Sequence, residues 1–117
     1  MTTFKSGRLA EDIKREIAIL IRELKDPRIA PMLGVVKVRV SGDASHCKVY
    51  VSAIEGPEQT LTSIKGLQSA SGHIKRELSN KLRLKKSPEI VFLADKSLDE
   101  SERINKIIDE LGESNED

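Results

Sequence analysis

Aromatic side chains are almost absent from this chain of 117 residues: Phe4, Tyr50 and Phe92 are the three, and there is no tryptophan. A core must therefore be built from Ile, Leu and Val. The shortage also argues against an aromatic platform on which bases stack, the device of RRM and OB domains. Cys47 is the single cysteine, so no internal disulfide can form, which fits a reducing cytoplasm. The stretch from Met1 to Arg8 lacks the apolar run of a signal peptide, and no segment is long enough to span a membrane. The expectation is a cytoplasmic protein with no membrane partner.

The usual marks of catalysis are missing too. There is no Gly-x-x-x-x-Gly-Lys phosphate loop and no Gly-x-Ser-x-Gly elbow. His46, Cys47 and His73 are the only soft ligands or nucleophiles. His46 and Cys47 are adjacent at a loop-to-strand junction, so their side chains should diverge, and no second pair completes a zinc site. Nothing in the pattern folds His73 back onto Cys47. The expectation is a protein that is not an enzyme and holds neither metal nor cofactor.

What is present is an ordinary balance, 38% apolar and 33% charged, which rules against global disorder and suits one compact domain. The net charge of +1 conceals a division. From Lys65 to Lys86 there are seven basic residues against one acid; from Asp95 to Asp117 there are nine acids against three bases. A basic block followed by an acidic end suits a polyanion partner.

Leu9, Ile13, Ile17, Leu20 and Leu24 recur at helical spacing, widened by Ile21. They predict a first helix from an N-cap at Ser6 to about Lys25, stopped by Asp26-Pro27. Residues 35–41 and 48–54 alternate with period two, with Val36, Val38 and Val40 on one face of the first strand and Val49, Val51 and Ala53 on one face of the second. The loop 41–46 between them makes a hairpin with one apolar face. Gly56-Pro57 opens a second helix, with Leu61, Ile64 and Leu67 inward. Ala70-Ser71-Gly72 marks a kink or tight junction, and a third helix follows on Ile74, Leu78 and Leu82. Residues 90–94 form a third strand, and Leu98 to Leu111 a last helix. The expected domain covers 5–111, with a frayed acidic tail over 112–117. Helices covering one face of a sheet give a two-layer α+β domain, and the order is that of type II KH domains.

Binding to a polyanion needs cations placed against phosphates. On the third helix Lys75, Arg76, Ser79 and Arg83 project away from the Ile74/Leu78/Leu82 stripe, with Asn80 beside them. Arg76 and Arg83 lie about two turns apart, roughly 10 Å by helix rise. Lys85 and Lys86 extend the patch, while Lys81 leans toward the apolar side. Ser71 and Gly72 open the helix, where backbone N–H groups can meet a phosphate. The plain alternatives are a solvated helix face, and for Gly72 a junction only. Arg8, Arg15, Arg22 and Arg28 are placed to pair with Glu11, Asp12 or Asp26 as readily as to meet RNA. Tyr50 reads as packed rather than as an open-face contact.

Four segments in order resemble the ribosome-binding factor A family: Arg22-Glu23-Leu24-Lys25-Asp26-Pro27-Arg28-Ile29; Val40-Ser41-Gly42-Asp43 with Lys48-Val49-Tyr50-Val51-Ser52; Leu67 to Leu78 through Ser69-Ala70-Ser71-Gly72; and Pro88-Glu89-Ile90-Val91-Phe92 with Asp95-Lys96-Ser97-Leu98 and Arg103-Ile104. The resemblance implies a KH-like fold in which Ala70-Ser71-Gly72 forms an interhelical kink in place of the usual Gly-x-x-Gly loop. It further implies a monomeric, non-catalytic factor that binds the small (30S) ribosomal subunit through 16S rRNA during late maturation, with a role in cold adaptation. A basic ribosomal protein or another assembly factor is a further partner it leaves open. Two positions depart from the pattern: Ala30-Pro31-Met32 reshapes the link before the first strand, and Cys47 stands where a plain small residue is expected. A generic single-stranded RNA-binding KH module, and a protein-interaction adaptor using the open sheet face and the acidic helix, are the alternative readings.

Overall fold

The computed structural model describes residues 2–96. Met1 and everything from residue 97 onward, including the expected last helix and the acidic tail, lie outside the described residues. Helix α1 spans Thr2–Glu23, strand β1 Leu33–Val40, β2 His46–Ala53, helix α2 Pro57–Ser69, α3 Ser71–Leu82 and strand β3 Glu89–Ala94. The fold is a two-layer α+β domain of the KH-like kind, with three helices on one face of a three-stranded sheet.

The strand order is β1-β2-β3, so β2 is central. It pairs antiparallel with β1 and parallel with β3. A parallel neighbour needs a crossover, and α2 and α3 supply it. Cys47, Val49 and Val51 on β2 are at most 1% exposed. They meet Ile13, Ile17, Leu20 and Ile21 of α1, Leu67 of α2, Ile74 and Leu78 of α3, and Ile90 and Phe92 of β3 in one cluster. Each such large aliphatic side chain stabilises the fold by roughly 1.5–3 kcal/mol on burial, and this aliphatic set replaces the missing aromatics.

Several local expectations are corrected. Helix α1 starts at Thr2, so Ser6 lies inside it and does not cap it. Residues 2–5 contain no proline to stop the helix, and a cap side chain is worth only about 1 kcal/mol. In β1 a bulge between Val35 and Lys37 inserts one residue. It turns Val35 inward beside Leu33, Val38 and Val40 and leaves Val36 39% exposed, because an extra residue reverses the alternation on one side of it. In α2 Leu61 points out, at 56% exposed, and the inward face is Thr60, Ser63, Gly66 and Leu67. Those small residues carry bonds rather than bulk. Ala53 N donates to Thr60 Oγ1 at 2.9 Å, and Ala30 N donates to Ser63 Oγ at 2.9 Å. A Cβ on Gly66 would lie 2.9 Å from Ile29 Cγ1, so the helix rests directly on the link that follows α1.

That link is held by Asp26, whose Oδ1 accepts from Arg28 N at 2.9 Å and from Arg28 Nε at 3.0 Å. The Arg28 guanidinium, joined by its backbone N–H, holds the Asp26 carboxyl at about 2. Arg15 reaches Asp12 at 3.4 Å. Both arginines therefore have acidic neighbours, as the local alternative required.

The hairpin turn is built on a second carboxylate. Asp43 Oδ1 accepts from Ser45 Oγ at 2.7 Å, Ser41 Oγ at 2.8 Å and Ser45 N at 3.1 Å, which lowers its pKa from 3.8 to about 2. A carboxylate with a depressed folded-state pKa contributes stability above its ordinary value and loses it as the pH falls through the depressed one. Acid titration is thus expected to loosen the 41–46 turn between about pH 4 and pH 2, and Asp43→Asn should remove that step. The amide exchange of Ser45 and His46 across this range is the readout.

Cys47 faces inward on β2 while His46 faces out, so the two do diverge. Burial pushes the Cys47 thiol up to about 11. The folded protein should resist thiol alkylation near neutral pH and react only on unfolding, as mass spectrometry after a timed alkylating pulse would show.

Candidate nucleic-acid interface

The kink lies at Ala70, whose φ of −93° and ψ of 4° separate α2 from α3. Its N–H is shared between the carbonyls of Gly66 at 3.2 Å and Leu67 at 3.1 Å, so the chain turns without an orphaned donor. Gly72 has ordinary helical backbone, and no atom lies within 4 Å of where its Cβ would sit. Positive φ is therefore not what this glycine provides. The bend falls at Ala70, the first residue of the expected Ala70-Ser71-Gly72 junction, and Gly72 leaves an open surface beside Ser71.

From this junction α3 buries Ile74 and Leu78 and turns Arg76, Asn80 and Lys81 to solvent. Two of the expected contact residues also have local tasks. Lys75 Nζ donates to Glu89 Oε1 at 2.8 Å, which holds the Glu89 carboxyl below its usual range and ties α3 to the start of β3. Ser79 Oγ donates to Lys75 O and bonds Ser87 Oγ at 2.8 Å, fastening the same helix to the turn that follows it.

Arg83 is not on the helix face. It is the C-cap, in left-handed conformation with φ 53° and ψ 48°, and Leu84 N donates to Ser79 O at 3.0 Å to close the helix. Left-handed caps favour glycine, so an arginine here bears a local cost of roughly 1–2 kcal/mol. The reversal directs the chain into Lys85 and Lys86. Arg76, Arg83, Lys85 and Lys86 are all exposed and form no ion pair among the described residues. Below them, Leu9, Ile13, Leu84 and Pro88 line a recess of about 300 Å³ rimmed by Lys85 and Lys86.

The sheet's other face holds cations that the sequence reading left aside. Arg39 and Lys48 are register partners on β1 and β2, and Lys37 sits 4.7 Å over the ring of Tyr50. Tyr50 is thus on the open face, half-buried beneath Lys37, not packed in the core. The signal was available: Lys37 and Arg39 fall opposite the valines in the alternating pattern.

Chemically, a surface of this kind is able to neutralise phosphates. Cations spaced from Arg76 through the Arg83 cap to Lys86 can follow a nucleic-acid backbone, while the open Gly72 permits close approach at the kink. Among the described residues no three His, Cys, Asp or Glu side chains are grouped to hold a metal ion, and no helix is long and apolar enough to cross a membrane.

A family model described as ribosome-binding factor A matches residues 5–108. Ribosome-binding factor A from Thermosynechococcus vestitus is 39% identical over 114 residues, which is 96% of this chain and 90% of that protein. The crystal structure of ribosome-binding factor A from Thermus thermophilus superposes with a TM-score of 0.68 at 31% identity, covering 76% of this chain and 94% of that one. A homology model of the Thermus thermophilus factor, fitted into the cryo-EM map of its 30S complex, superposes at 0.61 with 32% identity, covering 73% and 89%.

Proposed function

Because this chain belongs to the ribosome-binding factor A family, we propose that it binds the small ribosomal subunit through 16S rRNA and assists late maturation of that RNA. One observation carries the reading: the exposed row Arg76, Arg83, Lys85 and Lys86, adjoining an unobstructed Gly72 on a KH-like fold. The fitted 30S complex of the Thermus thermophilus relative supports the choice of partner. The protein acts in the cytoplasm as a monomeric KH-like domain over 5–111, with 112–117 as an acidic tail. It works by occupying an immature rRNA conformation, with no covalent chemistry, and matters most in the cold, where misfolded RNA rearranges slowly.

Cationic residues on both the α3 ridge and the open sheet face favour RNA over an apolar protein partner. A strain lacking the protein should accumulate unprocessed 16S precursor and grow poorly at low temperature. The wild-type gene should restore both. Normal precursor levels in the deletion strain would overturn the maturation role.

A further inference from the structure

The open face of the sheet carries charges that folding alone does not call for. The bulge between Val35 and Lys37 resets β1 so that Lys37 and Arg39 point away from the core, opposite Tyr50 and Lys48 on β2. Arg39 and Lys48 are thus like charges directly across a strand pair, an arrangement that destabilises a sheet. Lys37 lies two residues further along, roughly 7 Å away by strand rise. None of the three forms an ion pair among the described residues. Glu89 is the one acid in the three strands, and Lys75 already holds it at 2.8 Å. Protection of an edge strand accounts for cations on β1, but Lys48 stands on the central strand, which has no edge to guard. Helices α1, α2 and α3 all pack on the other side of the sheet.

Three neighbouring cations without counter-charge complement a polyanion. The Lys37 ammonium rests 4.7 Å from the centre of the Tyr50 ring, so the ring offers no free platform for a base. Such a face reads phosphates and not sequence, which suits the backbone of an RNA double helix. We propose that Lys37, Arg39 and Lys48 form a second RNA site, taking a duplex backbone, and that one molecule thereby holds two RNA segments together. The inference rests on the RNA-binding reading and goes beyond it. Helix α3 lies on the opposite side of the sheet, and Arg76 projects from it away from the buried Ile74 and Leu78. The two cationic surfaces therefore face apart, and a duplex resting on the sheet leaves Arg76 and Arg83 free for another. Two sites on one rigid domain raise the effective concentration of each segment for the other, with no further contact needed.

Energy transfer between two short RNA duplexes of unrelated sequence, one carrying a donor fluorophore and the other an acceptor, tests this with the full-length chain. The signal should rise as protein is added and fall once protein exceeds duplex, because each duplex then has a molecule to itself. Lys37→Thr with Arg39→Thr and Lys48→Thr, substitutions that keep strand propensity, should lower the transfer at least about tenfold. Fluorescence anisotropy of the same variant should still show one duplex bound through the α3 row, which also reports an intact fold. Transfer unchanged by the triple substitution overturns the proposal. So does its absence in a wild type that binds one duplex, which would give the face to another anionic partner such as an acidic protein. A wild type that binds no duplex at all overturns the RNA-binding reading together with the proposal, so the two failures are told apart.

Discussion

Replacing Arg76, Arg83, Lys85 and Lys86 together by alanine is expected to weaken binding to the small subunit on the order of a hundredfold, and to flatten its salt dependence. The reasoning is electrostatic. Each cation that displaces a counterion from a phosphate contributes about 0.7–0.9 to the slope of log affinity against log salt, so four contacts account for about three units. All four side chains are exposed and none is engaged in an ion pair among the described residues, so their removal should leave the fold intact. Arg83→Gly alone should separate the two roles of that position. It relieves the left-handed cap and raises stability, yet removes a cation and lowers affinity. Lys75→Ala should behave differently from the other cations, since it also breaks the tie to Glu89. Filter binding across a salt series, beside thermal melts, distinguishes these outcomes.

Leu67→Ala should cost about 2–5 kcal/mol of folding stability, enough to consume much of the ~5–15 kcal/mol that holds a small domain together. Leu67 is fully buried in the cluster beneath the sheet, three residues before the kink, so the cavity would open where α2 and α3 meet. His73→Ala, at an exposed position on the same helix pair, should change stability by no more than about 0.5 kcal/mol. Urea midpoints of the two variants give the contrast, and the Leu67 variant should bind rRNA in proportion to its folded fraction.

The features most legible from sequence were those written in periodic hydrophobicity. The Ile13/Ile17/Leu20 stripe, the Val49/Val51/Ala53 face and the Ile74/Leu78 steps each place a residue where the core has it, because burial imposes the period of the element. Features set by a neighbour in space were not legible. The bulge that exchanges Val35 and Val36 depends on pairing with β2. Leu61 faces out because the inward face of α2 is chosen by the contact of Gly66 with Ile29 and by hydroxyls serving Ala30 and Ala53, none of which leaves a hydrophobic signal. The kink was placed by its small residues, but one that needs no positive φ can sit at Ala70 as well as at Gly72. Within the cationic row the charges were plain in the sequence. The engagement of Lys75 with Glu89 and the capping turn at Arg83 required the third strand in position.

The cationic row is proposed to serve the small ribosomal subunit. Co-sedimentation of the protein with purified small subunits, large subunits and joined ribosomes, at low and moderate salt, tests this most directly. Binding selective for free small subunits, weakening steeply as salt rises and lost when Arg76, Arg83, Lys85 and Lys86 are replaced, is the predicted result. Equal binding to all three particles, or binding indifferent to salt and to those four substitutions, would contradict it.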